Sequence, residues 1–161
     1  CEKLISRKRI VFRVIGNKKI GMGHIYRALT IAHEITDHEV IFVTDTENQT
    51  AVNKLMDYNY QLLVHRRSEI VGQILDLEPD LVVNDILDTT QKDVVTYQSN
   101  GIKVANFEDL GEGARLADLT INEMYDQPQF YGDNVHWGQT RSAGGHGESP
   151  WAGFGCVSSS S

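Results

Sequence analysis

The side chains best suited to chemistry lie in a glycine-bearing loop, where an apolar strand pattern changes to a helical one. Gly21 and Gly23 precede His24, and Arg27 follows one helical turn later. Glycines let backbone N–H groups approach a phosphate or sugar closely, and a helix N-terminus adds partial positive charge. An imidazole with an ordinary pKa of about 6.5 can deprotonate water near neutral pH. The loop therefore predicts a ligand site with His24 as general base, the plain alternative being a polar helix-start residue without chemical duty.

Hydrophobic periodicity predicts the elements that position this loop. Residues 9–15 form an almost continuous apolar run, which is typical of a buried strand. Apolar residues at three- and four-residue spacing then predict a helix that ends near residue 36. Further strands are expected at 39–44, 60–65, 80–84, 102–106 and 118–121, and helices at 47–57, 68–77 and 91–99. This alternation predicts an α/β fold, a Rossmann-like parallel sheet with helices on both faces.

Polar residues follow several of these strands, namely the loop 16–24, Asp45, residues 84–90 and residues 106–109. In open parallel sheets, ligands bind beyond the carboxyl ends of the strands, where the strand order reverses. We therefore expect these residues to share one rim of the sheet. Asp85 is expected to orient His24 or contact sugar hydroxyls, or else to cap the next helix. Arg13 and Arg27 can meet a phosphate or sugar, or simply pair with a nearby carboxylate.

The glycine spacing fits two known phosphate-binding loops only in part. A Walker loop needs Lys and a hydroxyl residue after its last glycine, but Met22 and Gly23 stand there. A dinucleotide fingerprint fits Gly21 and Gly23 but has Tyr26 at its third glycine. Asp45 lies where a ribose-binding acid is expected, so a dehydrogenase stays a minor alternative.

Residues 12–27, FRVIGNKKIGMGHIYR, resemble the N-terminal signature of the UDP-sugar hydrolases of pseudaminic-acid biosynthesis. The same family includes predicted glycosyltransferases of spore coat polysaccharide synthesis. Its pattern is a strand ending in Arg, a short polar loop, and Ile-Gly-x-Gly-His-x-x-Arg opening a helix. Matching residues are Arg13, Ile20, Gly21, Gly23, His24, Arg27, Asp85, the segment 106–109 and Asn122. Ile86 departs from the pattern, since a His often follows the Asp.

The resemblance, which extends to about residue 138, implies the N-terminal half of a GT-B fold, whose C-terminal Rossmann-like half holds most of the UDP. It implies hydrolysis of a UDP-linked amino-deoxy sugar, without metal or other cofactor. His24 and Asp85 would be catalytic, and the substrate-binding residues would be Arg13, Gly21, Gly23, Arg27, Asn106 and Asp109. A glycosyltransferase of the same family and a non-catalytic nucleotide-sugar-binding module stay open as alternatives. Alone, such a half is expected to be nearly inactive.

Composition and charge limit the remaining possibilities. The 161 residues carry 15 basic and 22 acidic side chains, a net charge of −7, which argues against broad nucleic-acid binding. No apolar run reaches the roughly 18 residues of a membrane helix, and a cytoplasmic location is the expectation. Residues 1–8 are interpreted as a linker from a possible upstream cytidylyltransferase domain, and residues 9–126 as the Rossmann-like domain. Residues 127–161 are interpreted as a tail or linker towards a second domain.

Overall fold

Strands and helices alternate along the chain in the computed structural model, which describes residues 7–16, 22–122, 129–130 and 132–137. The strands are β1 (Arg9–Val14), β2 (Glu39–Asp45), β3 (Gln61–His65), β4 (Leu81–Asp85), β5 (Lys103–Phe107), β6 (Leu119–Asn122) and β7 (Val135–Trp137). The α-helices are α1 (Gly23–Glu34), α2 (Gln49–Leu55), α3 (Ile70–Asp76) and α4 (Gln91–Ser99). Short 3-10 turns lie at Arg67–Glu69 and Glu112–Arg115. Within the described ranges, no helix is long and apolar enough to cross a membrane.

The strands form one sheet in the order β3-β2-β1-β4-β5-β6-β7, and all neighbouring pairs are parallel. The predicted α/β, Rossmann-like arrangement is therefore confirmed. The order reverses between β1 and β4, which are hydrogen-bonded neighbours in the register Val14 to Asp85. That pairing brings the loop after β1 and the loop after β4 to the same point of the rim.

Helices cover both faces of the sheet, because side chains along each strand alternate between two apolar clusters. On the first face, Phe12 and Phe42 pack with Ile25 and Leu29 of α1. On the second face, Val11 and Ile41 pack with Ile74 of α3 and with other residues of α3 and α4. Burial on both sides explains why β1, β2 and β4 have near-continuous apolar sequences.

The seventh strand lies beyond the boundary expected near residue 126. Val135 is in register with Thr120, and Trp137 with Asn122. The indole Nε1 of Trp137 donates to the carbonyl of Phe130 at 3.0 Å, and both side chains are buried. A three-residue strand flanked by polar residues has no detectable period, so the sequence pattern missed it. The tail expected over residues 139–161 lies outside the described residues, as does most of the linker expected over residues 1–8.

Two glycines after β5 let the β5–β6 connection pack tightly against the loop after β4. A Cβ at Gly111 would meet the side chain of Asp88 and lie 2.7 Å from the backbone nitrogen of Thr89. A Cβ at Gly113 would lie 2.7 Å from Cγ2 of Val94 and 2.8 Å from the carbonyl of Thr90. Neither backbone can accept even a methyl group without a shift of its neighbours.

We predict that Gly113→Ala lowers the free energy of unfolding by about 1–3 kcal/mol, the usual cost of overpacking. Gly72→Ala is the matched control, since a Cβ there in α3 meets nothing within 4 Å. Alanine is the better helix former, so the control is expected to gain about 0.5–1 kcal/mol. Urea unfolding of the three proteins measures both changes, and equal stability of the two variants would contradict the tight packing.

Candidate functional site

His24 lies in the first turn of α1 and is bound by Asp85, the last residue of β4. Its Nδ1 is hydrogen-bonded to Oδ1 of Asp85, and both residues are buried. A carboxylate only accepts, so Nδ1 carries the proton, and in the neutral imidazole Nε2 then has the free lone pair. Nδ1 makes all of the ring's polar contacts among the described residues, so Nε2 has no hydrogen-bond partner there. The imidazole is thus oriented as a general base requires.

Arg27, one turn further along α1, grips the same carboxylate with two nitrogens. Its Nε donates to Oδ2 of Asp85 at 2.8 Å, and its Nη2 donates to Oδ1 at 2.8 Å. This forked geometry is the strongest way for a guanidinium to hold a carboxylate. Nη2 also lies 3.3 Å from Nδ1 of His24, but both nitrogens are donors, so this contact follows from their shared acceptor.

Glu108 extends the cluster from the end of β5. Its Oε1 accepts from Nη1 of Arg27 at 3.1 Å, and the residue is only 1% exposed. Its φ of 50° is in the left-handed region, which costs a non-glycine residue about 1 kcal/mol or more. An acidic residue after a strand is common, so Glu108 is weak evidence of function in the sequence alone. Its position directly after β5 was the available signal.

The predicted site residues divide into two groups. His24, Asp85 and Arg27 come together, whereas Arg13 lies on the opposite face of the sheet. There its Nη1 pairs with Oδ2 of Asp93 at 3.1 Å. Asp85 was also a candidate for the cap of the next helix, α4. The cap of α4 is instead Thr90, whose side chain accepts from the backbone N–H of Asp93.

Asn106 and Asp109 belong to a separate buried network. Oδ1 of Asp109 accepts from the backbone of Thr89 at 2.9 Å and of Gly111 at 2.8 Å. Its Oδ2 accepts from Nδ2 of Asn106 at 2.8 Å and from the hydroxyl of Thr89. The Oδ1 of Asn106 accepts from Asn84 at 2.9 Å. These bonds tie the loops after β4 and β5 together, which favours a structural role over the predicted substrate contact.

Gly23 begins α1, and a Cβ there would meet nothing within 4 Å, so the helix start is open at that point. Gly21 lies outside the described residues. Asp45 is buried and accepts from the backbone of Glu47 at 2.9 Å and from Asn48 at 2.7 Å. This turn-forming role argues against a ribose-binding acid. In the described part of the chain, no group of three or more His, Cys, Asp or Glu side chains can hold a metal ion.

The chain is similar in sequence to the uncharacterized protein MJ1062 of Methanocaldococcus jannaschii, with 24% identity over 114 residues. The match covers 68% of the chain, and the chain spans about a quarter of the relative, since only 23% of it is covered. No family model matches, and no solved structure matches significantly. The function of the site is therefore argued from its side-chain geometry.

We predict that the ¹⁵N spectrum of neutral His24 shows the Nδ1–H tautomer. His38 is an internal control for which the other tautomer is expected. Its Nδ1 accepts from the backbone N–H of Lys8 at 3.1 Å, so Nδ1 carries no proton. In Asp85→Ala, the acceptor is lost and His24 should revert towards Nε2–H, with His38 unchanged. An Nε2–H tautomer at His24 in the unaltered protein would refute the orientation described above.

Burial raises the pKa of the Asp109 carboxyl, although hydrogen bonds from Thr89 and Gly111 oppose the shift. The folded state then holds this proton more tightly than the unfolded state. Stability from Asp109 is complete below the ordinary pKa of 3.8 and is lost as pH rises through the folded value.

We predict that the unfolding free energy of the wild type, relative to Asp109→Asn, increases as pH falls from neutral to below 3.8. The variant cannot titrate at this position, so subtraction removes the contribution of the other carboxyl groups. Urea unfolding at a series of pH values measures the difference. A difference that does not change with pH would be the contrary result.

Proposed function

We propose that this chain is the N-terminal half of a GT-B enzyme that hydrolyses a UDP-linked amino-deoxy sugar. The observation that carries the proposal is the His24–Asp85 pair at the mouth of α1. An imidazole with one nitrogen fixed on a buried carboxylate and the other uncommitted is the arrangement that general-base catalysis uses. Its place beside the reversal of strand order is where ligands bind in this class of sheet.

In the proposed reaction, Nε2 of His24 removes a proton from water as the water oxygen attacks the anomeric carbon. The bond from that carbon to the phosphate oxygen breaks, and UDP leaves with the electron pair. Asp85 keeps the imidazole oriented and stabilises the imidazolium that forms. Arg27 and Glu108 are positioning residues, because Arg27 holds Asp85 and Glu108 holds Arg27. His24 then loses its proton to solvent.

The relation to the whole protein is part of the same proposal. The family resemblance implies that a second Rossmann-like half holds most of the UDP, and that a cytidylyltransferase domain can precede this one. Catalysis depends on fixing the reacting groups in one geometry, so this half alone should turn over little substrate. A cytoplasmic location fits a reaction on nucleotide sugars.

A glycosyltransferase is the second candidate, since a sugar hydroxyl can replace water in front of the same Nε2. Analysis of products with and without an acceptor sugar separates the two reactions. A non-catalytic binding module would bind UDP-sugar with no turnover in the complete polypeptide. The dehydrogenase alternative is disfavoured, because Asp45 is buried in its own turn.

We predict that His24→Asn in the full-length polypeptide lowers kcat by about 10²–10⁴-fold, the usual contribution of a positioned general base. KM should change much less, because the helix mouth that holds the ligand is unaltered. The acidic limb of the pH–rate profile, which reports protonation of the base, should disappear. UDP release from a UDP-linked amino-deoxy sugar is the assay.

His33→Asn is the matched control, a histidine on the same helix with an exposed side chain. It should keep kcat within a few-fold of the wild type. Melting curves of both variants exclude loss of fold as the cause. A stably folded His24→Asn enzyme with near-normal turnover would falsify the mechanism.

A further inference from the structure

A cavity of about 550 Å³, with both polar and apolar lining, opens at the rim of the sheet on the α3/α4 face, and His24 does not line it. Its lining includes Arg13, Ser68, Ile86, Thr90, Lys92 and Asp93. Ligand pockets for small molecules occupy roughly 300–1,000 Å³, so a metabolite fits this space. The reaction proposed above uses none of these side chains.

Arg13 forms the buried part of this cavity and has most of its hydrogen-bonding capacity unused. The side chain is only 10% exposed. Its Nη1 donates to Oδ2 of Asp93 at 3.1 Å, and it also acts on the hydroxyl of Tyr97. A guanidinium has five N–H donors, and a buried donor without a partner is costly. The described residues therefore leave Arg13 able to receive a further acceptor.

Two neighbours of Arg13 are also incomplete. Asn84 is its register partner on β4, and Oδ1 of Asn84 is buried with no hydrogen-bond partner in the described part of the chain. The hydroxyl of Tyr97 on α4 is likewise buried without a partner among those residues. Burial raises the pKa of Tyr97 to about 12, and the charge of Arg13 together with a hydrogen bond from it opposes the rise. Arg13 is thus the neighbour of this hydroxyl, although the contact is not a hydrogen bond of good geometry. Buried polar groups in proteins are nearly always paired, and Oδ1 of Asn84 needs a donor, so this position suits a hydroxyl or a water and leaves the N–H donors of Arg13 for an anion.

The rim of the cavity supplies further donors. α4 has nine residues, and it begins here with Thr90 as its cap. The backbone N–H groups of Gln91 and Lys92 have no helical acceptor and favour negative charge, whereas that of Asp93 donates to the side chain of Thr90. Lys92 projects from the same turn and is exposed. The lining has no net charge, because it contains three acidic and three basic residues: Asp45, Asp88, Asp93, Arg13, Arg67 and Lys92. Attraction of an anion therefore depends on the hydrogen-bond donors near Arg13 and the start of α4.

We propose that the cavity is a second ligand site, which receives the phosphate or carboxylate group of a small polar molecule on Arg13 and the start of α4. The inference goes beyond the proposed function and stands without it, because neither His24 nor a UDP-sugar enters the argument. Arg13, predicted from the sequence to bind substrate beside His24, is assigned to this separate site.

The test is an NMR titration of the full chain at constant ionic strength, with inorganic phosphate, acetate and uncharged glucose in separate series. We expect saturable shifts of the amides of residues 91–93 and of the Arg13 side-chain Nε. Arg13→Met should weaken anion binding by about tenfold or more, the value of a charged hydrogen bond. Lys92→Gln, an exposed change that leaves the core intact, should weaken it up to about fivefold. Lys103→Gln, at the opposite end of the sheet, is the charge-matched control and should bind normally.

Saturable binding of either anion at residues 91–93 supports the inference, and the tighter anion identifies the group. A melting curve of Arg13→Met checks its fold, and the Lys92→Gln result stands if that variant unfolds. The inference is overturned if neither anion saturates, or if the shifts fall at residues 22–27. It is also overturned if Lys92→Gln and Lys103→Gln bind alike, or if glucose binds as tightly as the anions.

Discussion

A buried carboxylate at the end of β4 imposes the strictest constraint on this structure. Asp85 is 1% exposed, and leaving such a charge without partners costs several kcal/mol. Arg27 and Nδ1 of His24 compensate it, and both lie on α1 three residues apart, on one face of the helix. They reach one carboxylate together only if α1 begins at Gly23 and lies over the junction of β1 and β4. The electrostatic requirement thereby fixes the start of the helix relative to the sheet.

The reversal of strand order turns that single junction into two different environments. Side chains alternate along β1, so Val14 joins the α1 face while Arg13 joins the α3/α4 face. On the first face, Asp85 at the end of β4 binds His24 and Arg27, and Nε2 of His24 has no partner among the described residues. On the second face, Asn106 and Asp109 satisfy one another and the adjoining loops. The second face therefore has a closed network under β5 and an open cavity beside β1.

Local hydrophobic periodicity made the positions of β1 to β6 along the chain, and of the helices between them, predictable. The meeting of His24 with Asp85 was also predictable, since both follow neighbouring strands at the reversal point. Strand alternation could have separated Arg13 from His24, but the resemblance placed them together. β7 gave no local signal, because it needs β6 as its template. Glu108 was marked only by its position after β5, and nothing in the sequence pattern reported its left-handed backbone. Closure of the Asp109 network depends on loops distant in sequence, which no periodicity reports.

The supporting groups behind His24 distinguish a built site from an ordinary ion pair. Arg27 with Asp85 would already satisfy both charges, so stability alone does not require an imidazole there. Glu108 nonetheless has an unfavourable backbone conformation, from which it accepts a hydrogen bond from Arg27. Arg27 in turn binds Asp85, and Asp85 binds the imidazole of His24. Strained residues that persist in this way are concentrated at functional sites. Each support restricts the next, and the series ends at Nε2, the one ring nitrogen to which the described residues offer no partner. Such layered positioning is what precise chemistry at a single atom demands.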